Sequence, residues 1–142
     1  MTAGPWTPVN ELKGRILRGE IDFSTATLKC ALFLSTSNIG VGSTTFAALT
    51  NEHANANGYV TTGVSVEIDL IGTADIGAQF AVNPTWVAVG GNIVARTAVL
   101  YEVGGHVLWF CTLDNTPADV TVTPGNRLTI DSDGTPDFVF SL

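Results

Sequence analysis

The stretch NEHANANGYVTTGVSVEIDL, residues 51–70, decides how the chain is read. It opens with small polar residues, reverses at Asn57 and Gly58, and then alternates. Val60, Val64, Val66, Ile68 and Leu70 share one parity, while Thr61, Ser65, Glu67 and Asp69 hold the other. Successive side chains of a strand point to opposite faces, so this period predicts a strand with one face in the core and one in water. Asn and Gly supply the turn before it because both tolerate left-handed backbone.

Outward from this strand, the N-terminal side holds NELKGRILRGEID, residues 10–22, with Leu12, Ile16 and Leu17 at near-helical spacing. Asn10 can serve as its N-cap and Gly19 as its stop, which predicts one short helix. TLKCALFL, residues 27–34, is apolar on both parities and predicts a strand buried on both faces. Phe46 and Leu49 lie one helical turn apart, so TTFAALTNEH reads as a helical turn.

On the C-terminal side, AQFAVN, TWVAVGG, IVARTAVLYE and HVLWFCTL each predict a strand, the last two joined by the turn VGG. DVTVTPGNRLTI reads as two strands joined at TPGN, and DFVFSL, residues 137–142, closes the chain with Phe138 and Phe140 on one face. Some seven or eight strands, with turn signals about every ten residues, predict a mainly β fold: a single antiparallel β-sandwich, jelly-roll or Ig-like, with a short N-terminal helix. Residues 1–9 read as an extended arm and residues 10–142 as one sandwich domain.

Composition narrows the function. A chain of 142 residues can bury a full core without staples. Its net charge of −7, from 6 basic and 13 acidic residues, argues against nucleic acid or an anionic membrane as partner, since such binding draws its energy from Lys and Arg. Lys13, Arg15 and Arg18 cluster in one segment, which reads as a solvated helix face or a contact patch for an acidic surface. Cys30 and Cys111 sit in apolar runs and read as core residues rather than as a secreted disulfide framework. No apolar run approaches the roughly 20 residues of a membrane span, and the N-terminus lacks a signal-peptide pattern. A soluble protein folding in a reducing cytosol is the expectation.

No catalytic constellation emerges. His53 and His106 fall in no metal-binding pattern and read as an exposed loop residue and a strand-end residue. DSDGTPD, residues 131–137, starts like a calcium loop but lacks the closing Glu, so it reads as a turn. The glycine pairs Gly90–Gly91 and Gly104–Gly105 open no helix and read as turns rather than phosphate cradles. The expectation is therefore a non-enzymatic protein with no cofactor and no metal. Trp6, flanked in GPWTP by prolines, reads equally as a partner anchor or as a residue folded back onto its own domain.

The order of segments resembles a family of small tailed-bacteriophage virion structural proteins. Ile21, Asp22, Thr27, Leu28, Lys29, Ala31 and Leu32 match its first recurrent segment. Leu49, Asn51, Glu52, Gly58, Tyr59, Thr62 and Gly63 match its second, and Ala95, Arg96, Ala98, Val99, Leu100 and Tyr101 its third. The resemblance runs from about Asn10 to the last strand, and the arm MTAGPWTPV and the loop SNIGVGSTT depart from it. It implies a β-rich structural subunit of a phage particle, assembled in the host cytoplasm.

Within that resemblance the first expectation is a capsid decoration or cement protein that binds the assembled shell. Its partners would be the major capsid protein or other virion proteins, and a homo-oligomer is expected, a trimer being compatible with the role. The alternatives are a tail, connector or baseplate component, and a carbohydrate-binding adsorption module using Trp86 or Tyr59 as a stacking platform. The predicted partner contacts are Pro5, Trp6 and Pro8 in the arm, with Ile39 and Val41 in the glycine-rich loop. A buried Asn51 and Glu52 closing their loop by hydrogen bonds would explain the recurrence of that segment.

Overall fold

A computed structural model describes residues 3–71, 77–116 and 118–130. They are mainly β, with every strand pair antiparallel. The strands are β1 (Thr7–Pro8), β2 (Leu28–Phe33), β3 (Val64–Val66), β4 (Ile68–Ile71), β5 (Gly77–Phe80), β6 (Thr85–Val87), β7 (Ile93–Ala95), β8 (Thr97–Glu102), β9 (Val107–Thr112), β10 (Val120–Val122) and β11 (Arg127–Thr129). Helix α1 spans Leu12–Leu17, and Phe46–Ala48 form one 3₁₀ turn. No helix among the described residues is long and apolar enough to cross a membrane.

The largest sheet has the order β1-β9-β8-β2-β3. Its centre is apolar on both sides, as the run TLKCALFL requires. Cys30 faces Leu100 and Cys111 faces Ala98, which places both thiols on one face, and both are free and buried. Phe23 meets Trp109 on that face at a centroid distance of 5.8 Å. Across the sheet, the 3₁₀ turn stacks Phe46 on Tyr101 at 3.7 Å and sets it edge-on to Phe33.

Among the described residues there are also three two-stranded sheets: β4-β5, β6-β11 and β7-β10. The last two form one interrupted ribbon. Thr85 pairs Thr129 at one end and Ala95 pairs Val120 at the other, with Ala88 bonded to Asn126 and Gly125 between them. Trp86, Ala88, Ile93 and Ala95 bury the same face as Val120, Val122, Leu128 and Ile130.

The long strands expected from the sequence are broken at two points. IVARTAVLYE divides at Arg96: β7 belongs to the ribbon and β8 to the main sheet. Arg96 makes the corner, donating its N–H to Phe33 and accepting from Leu113, while its guanidinium meets Asp119 at 2.8 Å. The expected strand through YVTTGVSVEIDL breaks at Thr62 and Gly63, both at positive φ, and resumes as β3 and then β4 in different sheets. Val60 and Leu70, expected in the core, are exposed. The strands around TPGN exist, but each pairs with the 85–95 segment rather than with the other. DSDGTPD and DFVFSL lie outside the described residues.

Helix α1 ends where Gly19 takes φ 71°, its N–H bonding Ile16 and that of Glu20 bonding Arg15. Its buried residues are Leu12 and Arg15, whereas Leu17 is exposed. Glu11 occupies the N-cap and makes no side-chain cap bond, so Asn10 lies one residue too early for that role. Arg15 lies within 3.5 Å of Glu20 and 3.7 Å of Glu102, and Arg18 also pairs with Glu20. Two of the three clustered cations are thereby committed to intramolecular carboxylates.

Candidate interaction surface

The polar loop 51–63 is fastened to the main sheet. Glu52 and Phe33 form an isolated bridge, and the carbonyl of Asn51 and the N–H of His53 bond Leu34 and Leu32. The Tyr59 hydroxyl accepts the Leu32 N–H at 3.1 Å and donates to Glu52 at 2.6 Å. Glu52 also accepts the N–H of Thr62. The Thr62 carbonyl takes the Tyr101 hydroxyl at 2.6 Å, and its Oγ1 takes Lys29 Nζ at 3.0 Å.

Thr62 sits at φ 80°, a conformation a β-branched residue rarely adopts. Such backbone persists where its surroundings over-determine it, and here the amide, carbonyl and hydroxyl of Thr62 are all engaged. Gly63 follows at φ 81°, where a Cβ would overlap the Cys30 carbonyl. Glu52 thus closes the loop as expected, but Asn51 is exposed, at φ 62°, with its amide on the Thr36 carbonyl.

Groups with latent chemistry are silenced in this environment. Burial, reinforced by the bond to Glu52, raises the Tyr59 hydroxyl far above the ordinary phenol range. Burial pushes Tyr101 and Cys111 each up to about 12, and it raises Cys30 as well. A thiol kept protonated is neither nucleophile nor metal ligand. His53, expected exposed, is buried with Nδ1 2.8 Å from the Ala54 carbonyl and its ring against Tyr59. Among the described residues no group of three or more His, Cys, Asp or Glu side chains is placed to hold a metal.

The predicted contact residues divide. Pro5 is exposed. Trp6 is turned inward, only 7% exposed, and meets Phe80 edge-on at 5.7 Å. Pro8 is half-buried in β1, opposite Trp109. The arm is therefore an added edge strand: Gly4 and Val9 extend the pairing through bonds to Thr112 and Leu108. Ile39 packs on the core, while Val41 is 49% exposed. The arm and the glycine-rich loop do meet, through the Asn10 N–H on the Val41 carbonyl at 2.8 Å. Trp86 and Tyr59 are both buried and offer no ring for sugar stacking.

Sequence reading missed two surface features. Val60, Val87 and Val89 are exposed around one junction, where Asn57 accepts the Val89 N–H and Gly58 lies against the Val87 carbonyl. Parity along 85–89 signalled the outward valines, but nothing local placed Asn57 and Gly58 beside them. The second is an open groove of about 570 Å³ between Val64–Glu67 and Ala81–Thr85, with Ala26, Thr27 and Leu28 at one end.

Comparison with known proteins finds no matching family model, no matching curated protein and no matching solved structure.

Proposed function

We propose that this chain is a non-enzymatic structural component of a bacteriophage particle, a decoration or cement protein that binds the assembled shell. Its four small sheets serve as the walls of one sandwich domain around a shared core. The reading rests on the resemblance, and one observation carries it further. Residues of the three recurrent segments, distant in sequence, converge in a single knot: Lys29 and Leu32 from the first, Glu52, Tyr59 and Thr62 from the second, Tyr101 from the third.

A knot of this kind maintains shape, and shape is what a shell subunit contributes. Pro5, Val41, Val60, Val87 and Val89 are among the exposed apolar residues available to neighbours on the shell. Individually weak contacts suffice there, because many copies engage together. Binding only the assembled shell would stabilise that state by mass action.

Cosedimentation tests this. Purified chain mixed with empty shells of the encoding phage, assembled without it, should pellet saturably and in a simple ratio to coat protein. Failure to pellet with intact, expanded shells would contradict the shell assignment.

A further inference from the structure

The groove beside β3, lined by both polar and apolar residues, has one wall that is an open strand edge. In β2, Leu32 directs both its N–H and its carbonyl toward loop 53–59, the side on which β3 lies. Backbone groups alternate along a strand, so Leu28 and Cys30 face the same way and bond Val66 and Val64. Ser65, between them, must turn its N–H and carbonyl to the opposite side, into the groove. Glu67 follows the same alternation, and its carbonyl is taken by the Ala81 N–H at 2.9 Å. Ser65 lies opposite Lys29 at a position of the β2–β3 pair where the alternation turns both backbone groups away from β2, and no loop or turn among the described residues bonds them.

We infer that this groove binds an extended peptide segment carrying a basic side chain, which joins the sheet by exchanging two main-chain hydrogen bonds with Ser65. Strand addition of this kind takes affinity from the backbone and selectivity from side chains at alternate positions. A residue opposite Ser65 places its side chain within diagonal reach of Glu67, the only charged residue lining the groove among the described residues. Val82, 79% exposed on the facing wall, is the apolar surface that the occupant would cover.

Two other occupants fit less well. The chain beyond Ile130, DSDGTPDFVFSL, holds three Asp and no Lys or Arg, the wrong sign for Glu67. The edge of a second folded copy would meet the wall at Ala81–Thr85. A single extended segment needs only the space between the walls, and 570 Å³ lies within the range of ligand clefts. The inference goes beyond the particle reading and does not depend on it.

The test uses the full ¹⁵N-labelled chain and two probes, acetyl-Thr-Val-Lys-Val-Thr-amide and the same peptide with Glu for Lys. The Lys peptide should shift the Ser65 and Glu67 amides saturably at millimolar concentration, slow Ser65 exchange at least tenfold, and bind at least threefold tighter than the Glu peptide. E67K should reverse that preference. S65P, which removes a donor that β2 does not use, should abolish binding while leaving the remaining spectrum in place. No saturable shift, or binding that survives S65P, overturns the proposal. So does a Ser65 amide already protected in the peptide-free chain, whether its own C-terminal segment or a second copy fills the groove.

Discussion

The Tyr59 hydroxyl stands between the Glu52 carboxylate, to which it donates at 2.6 Å, and the Leu32 N–H, from which it accepts at 3.1 Å. One phenol thus joins the polar loop to the apolar core of the main sheet. Removing it strands the buried Leu32 amide and takes from the Glu52 carboxylate one of its two hydrogen bonds, leaving that from the Thr62 N–H. Tyr59→Phe should cost about 1–3 kcal/mol, the penalty of leaving buried polar groups unpaired. Urea denaturation reads this directly. The Tyr59→Phe/Glu52→Gln double variant should lose clearly less than the sum of the singles, because both act on one network.

Gly63 and Gly19 share nearly the same backbone, at φ 81° and φ 71°, but not the same surroundings. A Cβ at Gly19 meets open space, whereas one at Gly63 runs into the Cys30 carbonyl. Gly19→Ala should therefore cost only the conformational term, about 1–2 kcal/mol. Gly63→Ala should cost that and a shift of β3 against β2, beyond about 3 kcal/mol. Equal losses in thermal or urea unfolding would contradict the described contact.

Trp6 is a core residue on an arm. Trp6→Ala should destabilise the chain by about 3–5 kcal/mol, as aromatic truncations in cores do. Deleting residues 1–8 would remove Trp6 together with the β1 pairing, so lost particle binding in that variant would report stability as much as contact. Pro5→Ala isolates the contact: it should leave the unfolding midpoint unchanged and weaken shell binding if the arm touches coat protein.

Both tyrosines of the chain should titrate late. Burial raises Tyr59 and holds Tyr101 at about 12, against an ordinary value near 10. A phenol with a raised folded pKa stabilises the fold fully below its unfolded pKa, and that contribution is lost as pH climbs toward the folded value. Stability should thus be flat through neutrality with respect to these groups and fall from about pH 10 to 12. Tyrosinate absorbance at 295 nm should not appear in the folded chain before pH approaches about 12, and a normal titration near pH 10 in the folded chain would contradict their burial.

Much of this was legible in the sequence, for identifiable reasons. The double-sided run TLKCALFL gave β2, Gly19 gave the helix stop, and Phe46 with Leu49 gave the 3₁₀ turn, since each signal is local. The breaks at Thr62 and Arg96 were not legible. A Thr at positive φ has no propensity signature; only Glu52, Tyr101 and Lys29, brought in from afar, hold it there. Arg96 interrupts a β-branched run that reads as continuous because both halves are indeed strands, in different sheets. Trp6 was undecided because its partner, Phe80, lies 74 residues away. The groove was invisible for the same reason, being assembled from residues 26–28, 64–67 and 81–85.

Copy number in purified particles tests the structural assignment most directly. Quantitative mass spectrometry against the major capsid protein should count this chain in the hundreds, on the order expected for weak sites multiplied over a shell, and in a simple ratio to coat. A count of a dozen or fewer would contradict a decoration role and place the chain at the neck, tail or baseplate.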